Sequence, residues 1–258
     1  MRSLKDVARK YLPQPVADLV RRFRRRRSRP GPPDEHARHE YEDRREFFRR
    51  ALTALKFNGI GGDYAEFGCC GAMTFCIVYD LLAEYPKAVG PFHLWAFDSF
   101  QGLPKATLPE DSHPEWKEGS MATSVEEFHG LCRSHGVPPS AYTTVAGFYE
   151  ESLNASAPGP RPEKIRLAFI DCDLYSSTRE ALNFLMPRLQ HGMILAFDDY
   201  YCYSSTLPSG ERIAAAEAFA GNARWRLVPY VQFGWHGMSF IVEAAGRGIP
   251  SGPSASHW

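Results

Sequence analysis

The six cysteines of this 258-residue chain form no CxxC pair and no Cys/His grouping at metal-ligand spacing, so all six read as reduced core or near-core thiols. Nor does the sequence contain GxGxxG or a P-loop lysine, which argues against an ordinary NAD site and against phosphoryl transfer. No apolar stretch near the start is long and unbroken enough for a transmembrane span or a secretory h-region. Synthesis and residence in the cytoplasm are therefore expected. Net charge is also missing, with 30 basic against 30 acidic residues, but the balance is uneven. Residues 1–29 hold eleven Lys and Arg against Asp6 and Asp18. The arm carries Leu4, Val7, Tyr11, Leu12 and then Val16, Leu19, Val20, Phe23 at helical spacing, followed by the cluster Arg21 to Arg27. Such a pattern fits an amphipathic arm lying on the inner surface of an anionic membrane, and equally a helix packed on the domain or a solvated tail. No aromatic stacking pattern or nucleic-acid-binding fold accompanies that charge, so no nucleic acid partner is expected.

At 44 % apolar and 23 % charged, the whole chain has the composition of an ordinary globular protein, long enough for a large single core. Its organising stretch runs from Ile165 to Tyr201. Ile165 to Ile170 is an unbroken apolar run apart from Arg166, as in a strand covered on both faces of a parallel sheet, and Asp171, Cys172, Asp173 follow. Met193 to Phe197 repeats the pattern and leads to Asp198 and Asp199. Between them Ser176, Ser177 and Thr178 are expected to cap a helix with Ala181, Leu182, Leu185, Met186 and Leu189 on one face, ended by Gly192. A right-handed crossover then brings both acidic pairs to the carboxyl edge of the sheet, with Asp171 and Asp173 on one face of their strand. Four carboxylates so placed repel one another unless a cation, a proton or a basic side chain intervenes, and an all-oxygen set favours a hard cation such as Mg²⁺.

Upstream, Asp63 to Phe67 reads as a strand leading through Gly68, Cys69, Cys70, Gly71 and Ala72 into an apolar helix from Met73. Glycine there admits close approach of a nucleotide-like cofactor to the backbone. His93 to Phe97 is the next strand, and Asp98 at its end is placed to accept both hydroxyls of a ribose, or to cap the following turn. Before these elements, His39 to Phe57 predicts a charged helix with Tyr41, Phe47, Phe48, Leu52 and Leu55 turned inward, covering one edge of the domain.

With these residues in view, the chain resembles the macrocin O-methyltransferase family of class I S-adenosylmethionine-dependent methyltransferases. AEFG at 65–68, FDSFQGLP at 97–104, GFYEESL at 147–153, DCDLYSSTREAL at 171–182 and DDYY at 198–201 carry the likeness in the right order. The resemblance implies an α/β fold with a doubly wound, mostly parallel seven-stranded sheet and an antiparallel last strand, the latter supplied by Leu227 to Val231 and Met238 to Val242. It further implies S-adenosylmethionine bound by Glu66, Gly68, Asp98 and Ser99. Mg²⁺ would be held by Asp171, Asp198 and Asp199, with Asp173 as general base. The acceptor would be a sugar hydroxyl on a glycosylated natural product, polysaccharide or lipid-linked glycan. The family's usual glycine pair after EFG is replaced here by Cys70, Gly71, Ala72 and Met73.

Domain limits follow: an arm at 1–29, a linker and covering helix at 30–57, the methyltransferase domain at 58–245 and a Gly/Pro/Ser-rich disordered tail at 246–258. The loop from Lys105 to Ser120, with His113 and Trp116, is a candidate lid over the acceptor. His236 and His113 could approach a substrate, but each reads more readily as a solvated loop residue, and a homo-oligomer is compatible with the sequence. Two other readings use the same residues: a scaffold that has lost cofactor affinity, and a metal-dependent hydrolase.

Overall fold

A computed structural model describes residues 35–246; the basic arm, the Arg29–Asp34 linker and the tail beyond Gly246 lie outside the described residues. The chain divides at Asp43 into two compact units. Of the first, the described part is 35–42, the opening turns of helix α1 (Glu35–Phe57).

The second unit is built on a seven-stranded sheet. Its parallel strands are β1 (Asp63–Phe67), β2 (Leu94–Asp98), β3 (Tyr142–Ala146), β4 (Ile165–Ile170) and β5 (Ile194–Phe197). The hairpin β6 (Trp225–Phe233) and β7 (Gly237–Ala244) completes it, in the order β3-β2-β1-β4-β5-β7-β6. β7 pairs antiparallel with β6, as the short 234–236 connection requires, and antiparallel with β5. The order reverses between β1 and β4, and their carboxyl ends open the crevice where ligands bind in such sheets. Every residue of β4 and β5 is buried, because helices cover both faces.

The helices that matter for the site are α1, α2 (Met73–Glu84), α3 (Val125–His135), α4 (Tyr175–Leu185) and α5 (Gly210–Phe219). Phe48 of α1 meets Tyr64 and Phe169 at 5.8 and 5.2 Å, and Phe47 stacks on Phe233 at 4.3 Å. Helix α1 therefore lies on a face of the sheet and not along an edge. Burying Phe47, Phe48, Leu52 and Leu55 stabilises this packing by about 1.5–3 kcal/mol each. Exposed pairs such as Arg50 with Glu46 add about 0–1 kcal/mol, so the apolar stripe decides the docking.

Helix α4 departs from expectation at both ends. Ser176, Ser177 and Thr178 lie inside it, and no side chain at the N-cap, Leu174, caps it. Asp111, from the loop after β2, accepts instead from the Ser176 N–H at 2.8 Å. The helix stops at Leu185 and passes into a single 3₁₀ turn, Met186–Arg188, because Pro187 cannot donate to the helical ladder. Among the described residues no helix is long and apolar enough to cross a membrane.

Candidate active site

The carboxyl ends of β1, β2 and β4 converge on one cavity lined by Gly68, Asp98, Ser99, Asp171 and Asp173, together with Met121, Phe148 and Tyr149. Asp98 accepts from the Cys69 N–H and the Phe100 N–H, each at 2.6 Å, and so ties the two turns of the crevice together. Burial raises the Asp98 carboxyl, while these two amides pull it back. Ser99 donates to the Gly102 carbonyl and accepts from Gln101, which shapes the tight turn after β2. Glu66 lies elsewhere. Its carboxylate is buried beside β1 and accepts from the Tyr64 hydroxyl, and it does not line the cavity.

Gly68 has φ +91°, and a Cβ placed on it would sit 1.8 Å from the Asp171 carbonyl oxygen. No side chain fits there without displacing the turn that carries Asp171. Gly68→Ala is accordingly expected to lower stability by several kcal/mol, combining overpacking with a left-handed backbone. A urea midpoint within experimental error of wild type would contradict this contact.

The second acidic turn adds the charge. Donor oxygens of Asp171, Asp173 and Asp199 all lie within 4.8 Å of one another. Strand β4 ends at Ile170, so strand alternation does not place Asp171 and Asp173 together. A tight turn with Leu174 N bonded to the Cys172 carbonyl at 2.6 Å, and with Asp173 at φ +61°, brings them together instead. A non-glycine residue in that region is strained, and here the strain aims a carboxylate into the cavity. Burial raises Asp171 and Asp173 well above the usual carboxylate range. The charges of Asp198 and Asp199 raise Asp171 further, and Asp199 raises Asp173 both by its charge and by a hydrogen bond. Asp198 points to a different partner. Its Oδ2 accepts from Arg44 Nη2 at 2.6 Å.

Residues 18–216 match the macrocin O-methyltransferase (TylF) family. The chain belongs to this family. Among curated relatives, the chain is 27 % identical over 150 residues to 8-demethyl-8-(2,3-dimethoxy-alpha-L-rhamnosyl)-tetracenomycin-C 4'-O-methyltransferase of Streptomyces olivaceus, covering 55 % of this chain and 54 % of the relative. It is 27 % identical over 157 residues to mycinamicin III 3''-O-methyltransferase of Micromonospora griseorubida, covering 57 % and 58 %. The chain thus spans little more than half the length of these relatives. Among solved structures, the O-methyltransferase NovP superposes with a TM-score of 0.63 at 22 % identity, covering 77 % of this chain and 79 % of that one. The calicheamicin methyltransferase CalS11 gives 0.60 at 20 % identity, covering 89 % and 93 %. Likeness at that identity establishes the shared fold, the class I methyltransferase sheet with its antiparallel last strand.

Two residues of this macrocin O-methyltransferase family member have no place in the sequence expectations, and a third is differently placed. Arg44 of α1 is largely buried, bonds Thr74 Oγ1 at 2.9 Å as well as Asp198, and lies 5.7 Å from the Phe169 ring centre. Burial alone would lower its guanidinium, but Asp198, Asp171, Glu66 and Asp199 outweigh that and raise it. Glu211, at the start of α5, is fully buried and accepts from Cys172 N at 3.1 Å and from Asp199 N at 2.9 Å. One carboxylate thereby fixes both acidic turns. His236, expected to be solvated, is buried with Nδ1 at 2.5 Å from the Asp198 carbonyl oxygen.

The position of Glu66 has a pH consequence. Burial, opposed by the Tyr64 hydroxyl and Arg44, pushes its carboxyl from 4.5 up to about 8. Between those values the folded chain keeps a proton that the unfolded chain releases, so this contribution to stability falls as pH rises and is level above about 8. Glu66→Gln should flatten that slope. Urea midpoints of both proteins from pH 5 to 9 test it, and a constant wild-type-to-variant difference would refute the burial argument.

Proposed function

We propose that this chain transfers the methyl group of S-adenosylmethionine to a hydroxyl of a sugar-containing acceptor. One observation carries the reading: the ribose-type acid Asp98 and the acidic turn Asp171–Asp173 line a single cavity at the sheet's switch point. The names of the curated relatives, both sugar-decorated natural-product O-methyltransferases, support the acceptor class.

In this reading Asp98 holds the ribose, and the glycine at 68 lets the methionine end pass close to the backbone. Asp171 and Asp199 would hold Mg²⁺. The donor set fits a hard cation, being all carboxylate, converging within 4.8 Å and mutually repulsive without a positive charge. When bound, that ion supplies stabilisation of the negative charge that develops on a deprotonating hydroxyl. Asp173, which lines the cavity, accepts the hydroxyl proton. The oxygen then forms its bond to the methyl carbon as the carbon–sulfur bond breaks in line, leaving S-adenosylhomocysteine and a proton on Asp173 that passes to water. Arg44 holds Asp198 in a buried ion pair beside this site.

Calorimetric titration with S-adenosylhomocysteine, with and without Mg²⁺, tests the cofactor site. Saturable binding is expected in the wild type, weakened at least tenfold by Asp98→Ala. The unfolding temperature of that variant is followed in parallel, because Asp98 also ties Cys69 and Phe100. Absence of binding in both metal conditions would refute the proposal and leave a scaffold or a metal-dependent hydrolase.

A further inference from the structure

Beside the acidic triad lies a chemically different group of donors. Cys202 follows DDYY on the turn after β5, and its Sγ lies 3.1 Å from Asp199 Oδ1. His236 comes from the β6–β7 connection, and the Tyr201 N–H bonds its carbonyl at 2.9 Å, fastening the two segments together. One donor atom from each of Asp199, Cys202 and His236 lies within 4.8 Å of the others. Tetrahedral coordination by sulfur, nitrogen and oxygen requires separations of roughly 3.3–3.6 Å, so the closure needed is slight. The imidazole is already oriented by its Nδ1 contact with the Asp198 carbonyl, the outer contact that metal-ligating histidines make. His236 stands 34 residues after Cys202, and therefore no ligand spacing is visible along the chain.

We propose that Asp199, Cys202 and His236 form a second cation site, selective for a borderline transition metal such as Zn²⁺ or Co²⁺, which competes with the hard cation of the acidic triad for Asp199. Thiolate and imidazole favour such metals over Mg²⁺, whereas the three carboxylates favour the reverse. On binding, the Cys202 S–H gives its proton to solvent and the metal–sulfur bond forms; no oxidant or reductant takes part. The competition rests on the proposed role of Asp199 in holding Mg²⁺, but the existence of the site does not.

Co²⁺ is therefore titrated into the full chain under reducing conditions, with no methyl donor or acceptor. A thiolate-to-cobalt charge-transfer band in the near ultraviolet, saturating at one equivalent and displaced by Zn²⁺, is the expected result. The band should vanish in Cys202→Ser, need at least tenfold more Co²⁺ in His236→Gln, and persist in Cys70→Ser. In the wild type, Zn²⁺ should slow alkylation of Cys202 severalfold, a readout that does not depend on any variant folding. No band, a band that survives Cys202→Ser, or unchanged alkylation would overturn the site. Competition is read separately: Zn²⁺ should raise severalfold the Mg²⁺ concentration that half-maximally shifts the unfolding temperature. An unshifted Mg²⁺ midpoint alongside an intact cobalt band would overturn the competition alone. Absence of methyl transfer with an intact band would refute only the proposed function.

Discussion

Asp173→Asn is expected to lower kcat by about 10²- to 10⁴-fold, the usual contribution of a positioned general base, while S-adenosylhomocysteine binding stays within a few-fold of wild type. Asparagine is the appropriate replacement because residue 173 has φ +61°, a region that Asn tolerates and alanine resists. The amide keeps the shape of the side chain and removes its capacity to take a proton. Stability should not fall, since the substitution also removes one member of a repelling carboxylate group whose protonation the fold already favours. A pH profile adds a signed test. Burial and Asp199 raise the Asp173 carboxyl, so turnover should fall on the acid side as that group becomes protonated. Saturating Mg²⁺, by offsetting the Asp199 charge, should move that limb to lower pH. A kcat within threefold of wild type for Asp173→Asn would remove this residue from the mechanism.

Arg44→Leu is expected to cost about 3–5 kcal/mol of folding stability, the range for breaking one side of a buried ion pair. The side chains of Arg44 and Asp198 are 12 % and 7 % exposed, so water cannot replace the lost partner. Leucine preserves much of the apolar contact with Phe169 but leaves Asp198 charged beside Asp171 and Asp199. Adding Asp198→Asn to the same chain should recover at least half of the loss, because the stranded charge is then gone. Urea denaturation of the two single variants and the double variant measures the coupling. A loss below about 1 kcal/mol for Arg44→Leu would place this pair with the weak surface bridges.

These effects show where sequence patterns were legible. The apolar runs of β4 and β5, each closing on aspartates, identified the parallel core and the acidic edge, because a strand buried on both faces has no polar alternation to obscure it. The antiparallel last strand came from the family resemblance, and the short connection after Phe233 suits the β6–β7 hairpin. Arg44 was hidden among Arg45, Arg49 and Arg50 in one charged helix. Its signal was positional: it shares the stripe of Phe47, Phe48, Ala51, Leu52 and Leu55, the buried face of α1. Glu211 and Asp111 offered no local signal, since each serves a backbone amide more than ten residues away. The Asp171–Asp173 pairing was anticipated from strand geometry but arises from a turn, and the cap of α4 was assigned to neighbouring hydroxyls when a distant carboxylate supplies it.

The anchored loop after β2 also bears on how the surface beside the crevice could change without disturbing the acidic turns. Its two ends are stitched together by Leu103 N to the Ser120 carbonyl at 3.0 Å and Gly119 N to the Leu103 carbonyl at 2.9 Å. Between the stitches, Asp111 bonds the N-terminus of α4, and His113 stacks on Trp116 at 4.1 Å farther along. The segment is therefore a cassette with a fixed frame and an internal pin. Sequence between that pin and the closing stitch can be exchanged or lengthened at a closure cost that grows only with the logarithm of its length. Change in this segment is thus mechanically separate from the strained turn at Asp173, which no such exchange needs to touch.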